Sequence, residues 1–94
     1  MKILIVEDEI ALLNAIADSL AKEHFVIETA SDFHAASEKI NVYDYDCILL
    51  DIMLPNGSGL QLLEQLKSAG KSGNVIIISA KDSLDDKLYE QFGW

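Results

Sequence analysis

The chain has 94 residues, half of them hydrophobic and about a quarter charged, which is a globular composition that suits one domain and is too small for two. Acids outnumber bases by 16 to 7, for a formal net charge of −9. This balance argues against nucleic-acid binding by the chain itself, because phosphate contacts need Lys and Arg. The single cysteine, Cys47, excludes an intrachain disulfide. No apolar stretch approaches the length of a membrane span or of a signal peptide, so we expect a cytoplasmic location.

Four apolar runs have the length and composition of β-strands. The first, third and fourth are apolar on both faces, which is typical of strands buried in a parallel sheet. The second alternates and predicts a weaker strand. The four strands are predicted at residues 3–6, 25–30, 45–50 and 75–78.

Helical periodicity fills the intervals between these strands. It predicts an amphipathic helix over residues 10–22 and another over 32–41, with Ser31 as the expected N-cap of the second. A last helix is predicted to begin at Ser83, because Asp86 follows three residues later.

The third helix has the clearest start signal. Ser58 followed by Gln61 resembles a capping box, and Leu60, Leu63 and Leu66 form the apolar stripe of the helix. Strands and helices therefore alternate in the order βαβαβαβα. This order predicts an α/β fold with a doubly wound parallel sheet covered by helices on both sides.

Acidic or hydroxyl side chains follow three of the four strands. Glu7 and Asp8 come directly after the first strand, Asp51 follows the third, and Ser79 follows the fourth. Ligands of open parallel sheets bind outside the carboxyl ends of the strands. If the first, third and fourth strands are neighbours, these side chains meet at one edge of the sheet.

Three carboxylates in one small cleft repel one another, and a divalent cation relieves the repulsion. Oxygen ligands suit Mg²⁺. A simpler interpretation is that Glu7 and Asp8 only begin the first helix, where acids interact favourably with the helix dipole. Asp51 favours the metal site, since it ends an apolar strand and lies too far from the next helix to be its cap.

Three motifs in the same order resemble the receiver domain of bacterial response regulators: IVEDE, LLDIMLPNGSGL and IIISAKDS. The segment MLPNGSG is similar to receivers of the OmpR/PhoB subfamily, which are attached to winged-helix DNA-binding domains. The resemblance spans residues 2 to about 88. It implies a flavodoxin-like receiver fold.

The resemblance also implies a role for each matching residue. Asp51 would be the phosphoacceptor, taking a phosphoryl group from a phosphohistidine of a sensor histidine kinase. Asp8 and Asp51 would ligate Mg²⁺ directly, Glu7 would act through a bound water, and the backbone carbonyl of Met53 would be a further ligand. Ser79 would hydrogen-bond a phosphoryl oxygen and sense the modification.

In this family the phosphoryl group changes the conformation of the receiver and so regulates an output domain, here expected to act in transcription. The chemistry needs positioning and charge neutralisation more than covalent participation by the protein. We therefore expect no enzyme activity beyond self-phosphorylation and slow dephosphorylation.

The sequence departs from the family pattern near its end. Receivers have five βα units, whereas four are predicted here, and the usual Lys-Pro after the fifth strand does not occur. We therefore interpret residues 1–94 as a receiver domain that is incomplete before the fifth strand and helix. The strand at 75–78 would then be an unpaired apolar edge, which predicts a homodimer or a domain-swapped assembly.

Two other functions stay open at this point. The chain could be a receiver fragment that no longer switches and acts as an interaction or assembly module. It could also be a Mg²⁺-dependent phosphohydrolase with Asp51 as nucleophile. The sequence DIM disfavours the hydrolase, because the haloacid-dehalogenase-like class has a second Asp where Met53 stands.

Overall fold

The computed structural model describes residues 1–78. Ser79 and the helix predicted from Ser83 lie outside the described residues. The elements in chain order are β1 Lys2–Val6, α1 Ile10–Ala21, β2 Val26–Ala30, α2 Phe33–Val42, β3 Cys47–Asp51, β4 Met53–Leu54, β5 Gly57–Ser58, α3 Gly59–Ser68 and β6 Val75–Ile78.

The four longer strands form one parallel sheet in the order β2-β1-β3-β6. The first, third and fourth predicted strands are therefore neighbours, as the sequence interpretation required. Val6 aligns with Leu50, and Asp51 aligns with Ile78, so β1, β3 and β6 end close to one another. The short strands β4 and β5 pair antiparallel and form a separate hairpin between β3 and α3.

Helices cover both faces of this sheet. Ile3 and Ile5 of β1 pack with Leu13 of α1 on one face, whereas Leu4 and Val6 pack toward α2 and α3 on the other. This arrangement confirms the doubly wound α/β fold. Of the helices in residues 1–78, none is long and apolar enough to cross a membrane.

The N-cap of α2 corrects one prediction. Asp32, and not Ser31, caps the helix, since the Asp32 side chain accepts a hydrogen bond from the Ala35 backbone N–H at 2.8 Å. Asp32 has the extended backbone of an N-cap, with φ −147° and ψ 172°. Two adjacent residues could both cap a helix by type, and only the helix start decides between them.

The apolar face of α3 also differs from the predicted stripe. The capping box of Ser58 and Gln61 is present, and Leu63 and Leu66 are buried as expected. Leu60 is 39% exposed, and Leu62 is buried in its place. The stripe was predicted at a spacing of three, whereas a helix of 3.6 residues per turn that begins at Gly59 brings Leu62 toward the sheet.

The strand β6 was predicted to be buried on both faces, and in the described part of the chain only one face is covered. Val75 and Ile77 are each 1% exposed, whereas Ile76 is 48% exposed. Ile76 points to the face of the sheet on which α1 lies, and α1 packs over β1 and β2. The apolar composition of the run did not distinguish between these two faces.

Candidate metal site

Three carboxylates meet at the carboxyl ends of β1 and β3. One oxygen from each of Glu7, Asp8 and Asp51 lies within 4.8 Å of the others. Glu7 and Asp51 are each only 1% exposed, and Asp8 is partly exposed. The convergence predicted from the strand ends is therefore present for these three residues.

The turn from β1 into α1 places Glu7. Its backbone N–H donates to the Ala30 carbonyl at 3.1 Å, which extends the pairing of β1 with β2 by one residue. Its side chain then folds back, and Oε2 accepts the Glu9 backbone N–H at 3.2 Å. These two contacts keep Glu7 buried at the edge of the sheet and away from the surface of α1.

Asp51 is the last residue of β3, and the chain beyond it turns sharply. Its Oδ1 accepts the Met53 backbone N–H at 3.1 Å, a local bond that Asp side chains commonly make two residues ahead. The backbone of Gly59 returns against Asp51, and Gly59 N–H donates to the Ile52 carbonyl at 2.6 Å. A Cβ at Gly59 would collide with the Asp51 carbonyl oxygen and lie 2.7 Å from Ile52 Cα, so this close approach requires glycine.

The electrostatics of the site follow from burial without a basic partner among residues 1–78. Burial, together with the neighbouring Asp51 carboxyl group, raises the pKa of Glu7 to about 8. Burial also raises the pKa of Asp51. A proton on one of the two neighbouring carboxyl groups relieves their repulsion. Without a cation, the site therefore tends to keep a proton.

The donor set fits a hard divalent cation. Glu7 Oε1 is buried and has no hydrogen-bond partner among residues 1–78. A buried carboxylate oxygen without a donor is costly unless a cation or a proton compensates it. Three carboxylates from two strands supply oxygen ligands of the kind that Mg²⁺ prefers.

The remaining predicted site residues are placed as follows. Met53 stands beside the acids, where its side chain is 61% exposed and its backbone N–H contacts Asp51. The sequence interpretation considered only its carbonyl and missed this N–H, although an Asp followed by a turn is the usual signal for such a bond. Ser79 follows Ile78, which aligns with Asp51, and itself lies outside the described residues.

An open cleft of about 470 Å³ adjoins the acids. Asp8 lines one side, and the chain from Ile52 to Pro55 with Gly57 and Ser58 lines the other. A partner group can therefore reach the acidic cluster from this side.

Comparison with known proteins identifies the family. The response regulator receiver domain matches residues 3–90. The transcriptional regulatory protein CiaR of Streptococcus pneumoniae is 40% identical over 90 residues, which cover 93% of this chain and 38% of CiaR. The two-component response regulator PhoP of Pseudomonas aeruginosa is 34% identical over 88 residues, covering 94% of this chain and 39% of PhoP. The chain thus spans less than half the length of these curated relatives.

A solved structure gives the same result. The receiver domain of the Francisella response regulator 1452 superposes with a TM-score of 0.82 at 30% identity, covering 97% of this chain and 75% of that one. These findings confirm the resemblance to OmpR/PhoB-type regulators. The chain therefore belongs to the response regulator receiver domain family.

Proposed function

We propose that this chain accepts a phosphoryl group on Asp51 in a Mg²⁺-dependent reaction, with a sensor histidine kinase as the donor. One observation carries the proposal. Asp51 is a buried carboxylate at the end of a central strand, and it has two further carboxylates within 4.8 Å and no basic partner among residues 1–78. Such a cluster suits a cation that is shared with an incoming phosphoryl group.

The carboxylates of Glu7, Asp8 and Asp51 and the backbone carbonyl of Met53 would hold Mg²⁺, with Glu7 acting through a water. When bound, the cation would neutralise the charge on the oxygens of the transferring group. The orphaned Glu7 oxygen supports this assignment.

The chain's own residues account for the rest of the reaction. Asp51 attacks phosphorus, so that an O–P bond forms while the N–P bond of the phosphohistidine breaks. The electron pair of the broken bond returns to the imidazole ring, which takes up a proton. The Met53 backbone N–H fixes the orientation of the attacking carboxylate. Burial of Asp51 limits the access of water to the acyl phosphate.

Ser79 is proposed to donate a hydrogen bond to a phosphoryl oxygen after transfer. The alignment of Asp51 with Ile78 supports this role, since Ser79 directly follows Ile78 in the sequence. The resulting change would regulate an output domain, which we propose acts in transcription, because CiaR is a transcriptional regulatory protein. Beyond self-phosphorylation and slow dephosphorylation we propose no enzyme activity, and we propose a cytoplasmic location.

Intact-mass measurement tests the proposal. The wild-type chain is incubated with Mg²⁺ and acetyl phosphate, alongside Asp51→Asn and a sample in which EDTA replaces Mg²⁺. We expect a gain of one phosphoryl group in the wild type with Mg²⁺ only. A gain in Asp51→Asn, or none in the wild type, would contradict the proposal. Sustained release of phosphate from a phosphate ester would favour the hydrolase instead.

Assembly through the sheet edge is the second candidate function. In residues 1–78, β6 forms one edge of the sheet, and Ile76 on this strand is 48% exposed. Apolar edge strands tend to pair with other chains. Light scattering at tens of micromolar tests the predicted homodimer or domain-swapped assembly, and a mass equal to one chain at every concentration would contradict it.

A further inference from the structure

The β4–β5 hairpin leads directly from Asp51 to α3. Met53 aligns with Ser58, and Leu54 aligns with Gly57. Asn56 at the turn has a φ of 63°, a conformation that Asn adopts more readily than most residues. One end of the hairpin therefore bonds to Asp51, and the other end begins the helix.

Phe33, on a different element, contacts this hairpin. It is the first residue of α2, and the Asp32 cap fixes the start of that helix. The Phe33 side chain is partly buried and packs against the core between the sheet and α2 and α3. Its backbone N–H points to the Pro55 carbonyl, although the distance of 3.5 Å makes this a weak bond. Phe33 thus contacts both the core and the hairpin turn.

The contact between Phe33 and Gly57 leaves no room for a side chain at position 57. A Cβ at Gly57 would lie 2.9 Å from Phe33 Cβ and closer still to the ring atoms Cγ and Cδ2. Cβ and Cγ are at the base of the Phe33 side chain, so rotation of the ring does not remove the collision. Among residues 1–78 only Gly70 is a glycine with positive φ, so space and not backbone conformation requires glycine at position 57.

We propose that Phe33 is a positioning residue for the acidic site. By holding Gly57, Phe33 fixes the β4–β5 hairpin, and the hairpin holds the Met53 N–H on Asp51 Oδ1. The hairpin would also fix the Met53 carbonyl. This inference rests on the proposed function, in which that carbonyl binds Mg²⁺. The contact between Phe33 and Gly57 thereby acts on the proposed Mg²⁺ ligands through the hairpin.

A purely structural role for Phe33 makes a different prediction. If Phe33 only fills space in the core, its truncation lowers the stability of the fold without changing the site of the folded molecules. The control is Leu13→Ala, because Leu13 is buried on the opposite face of the sheet in α1. Both truncations are expected to lower the stability of the fold, since each removes apolar atoms from the core.

The experiment compares wild type, Phe33→Ala, Phe33→Leu and Leu13→Ala at a temperature where each is folded. Two quantities are measured: the Mg²⁺ dissociation constant by calorimetry, and the hydrogen-exchange rate of the Met53 amide in metal-free protein by NMR. For Phe33→Ala we expect about tenfold weaker Mg²⁺ binding, comparable to the loss of an outer-shell partner of a metal site. We also expect faster exchange of the Met53 amide.

Leu13→Ala is expected to leave both quantities unchanged, and Phe33→Leu is expected to retain most of the wild-type affinity. Equal values in Phe33→Ala and Leu13→Ala would overturn the inference. If the wild type itself does not bind Mg²⁺, the proposed function fails, and the Met53 exchange rate still tests whether Phe33 holds the hairpin.

A pair of glycine variants avoids truncating the core. Gly57→Ala adds one methyl group against Phe33, whereas Gly73→Ala adds the same group where no atom lies within 4 Å. We expect Gly57→Ala to weaken Mg²⁺ binding several-fold and Gly73→Ala to have no effect. The double variant Phe33→Ala/Gly57→Ala should bind no more weakly than Phe33→Ala alone. An additive loss in the double variant would contradict the proposed contact.

Discussion

Acidic side chains have opposite surroundings toward the two ends of the sheet. At the carboxyl ends, Glu7 and Asp51 are almost fully buried beside Asp8, and no cation of residues 1–78 forms a salt bridge with them. Glu28, in the middle of β2, is also removed from solvent in part, yet it has several donors, of which Lys2 and Tyr45 lie toward the amino ends of β1 and β3. The donors are the Tyr45 hydroxyl at 2.7 Å, Lys2 Nζ at 3.2 Å and Lys39 Nζ at 3.4 Å.

The difference separates a network of paired charges from the acidic cluster proposed to bind Mg²⁺. Hydrogen bonds and basic neighbours lower the pKa of Glu28, with the Tyr45 hydroxyl making the largest contribution. Burial raises the pKa of Glu7, and its carboxylate neighbours raise it further. Among residues 1–78, Glu28 thus has basic partners whereas the acidic cluster has none, a contrast that favours the cation proposed for the cluster.

The largest expected effect concerns the pH dependence of stability. Glu7 has a pKa of 4.5 when unfolded and about 8 when folded, so between these values the folded protein binds more protons than the unfolded one. The free energy of unfolding of the metal-free protein therefore falls as pH rises from about 5 to 8. Because one pKa unit corresponds to about 1.4 kcal/mol, the fall should amount to a few kcal/mol.

Thermal unfolding in EDTA at pH 5 and pH 8 measures this fall. Glu7→Gln keeps the shape of the side chain and cannot ionise, so most of the slope should disappear in this variant. An equal slope in wild type and Glu7→Gln would show that Glu7 is not the group responsible, and the contrast between the two ends would lose its main support.

Mg²⁺ should produce the next largest effect. A ligand at one hundred times its dissociation constant stabilises the folded state by about 2.7 kcal/mol. We expect this gain at pH 8, where the cation replaces the proton held by Glu7, and a smaller gain at pH 5. Asp8→Asn should remove most of the gain, since it removes one carboxylate charge from the proposed ligand set. Urea unfolding with and without Mg²⁺ gives the values, and an unchanged gain in Asp8→Asn would exclude Asp8 as a ligand.

A variant of Glu28 should respond to pH with the opposite sign. The pKa of Glu28 is lowered from 4.5 in the folded protein, so its contribution is present above pH 4.5 and is lost as pH falls through the folded value. Glu28→Gln should therefore be less stable than wild type at pH 7, by about 0.5–1 kcal/mol because the groups are partly exposed. The two proteins should converge as the pH falls below the folded-state pKa of Glu28. A deficit that grows on acidification would contradict this assignment.

The smallest effect is expected from Lys71, which also belongs to the amino-terminal end. Its Nζ donates to the Ile40 carbonyl at 3.0 Å and lies 3.2 Å from Asp44 Oδ1. The Ile40 carbonyl is in the last turn of α2, where carbonyls lack partners within the helix. Lys71→Met should cost about 1 kcal/mol and leave Mg²⁺ affinity unchanged, whereas Lys67→Met on the exposed side of α3 should cost less. A change in Mg²⁺ affinity in Lys71→Met would show that the two ends are coupled.

The sequence was sufficient to predict the sheet and the acids, for definite physical reasons. Buried parallel strands are apolar on both faces, so β1 and β3 were recognised, and the acids at their ends could be assigned to one edge. The third strand was predicted to end at residue 50, whereas Asp51 is its last residue. Strand composition alone did not show that the acid completes the pairing with β6.

Contacts between distant residues were not predictable in the same way. Glu28 looked like an ordinary polar residue of a weak strand, because its partners Lys39 and Tyr45 come from other elements. The sequence around Pro55 gives no sign of the contact between Gly57 and Phe33, which is more than twenty residues away. Local patterns carry no information on such tertiary contacts.

The turn of the β4–β5 hairpin also has a chemical consequence. Asn56 suits the positive φ, and Phe33 requires glycine next to it, so the protein contains an Asn-Gly pair, with Asn56 exposed, beside its acidic site. Asn-Gly is the dipeptide in which the backbone nitrogen most readily attacks the side-chain amide, with loss of ammonia and formation of aspartate or isoaspartate. Isoaspartate would add one methylene to the backbone of the hairpin and place a new carboxylate near the site. Deamidation during storage would thus alter the part of the chain that orients Asp51.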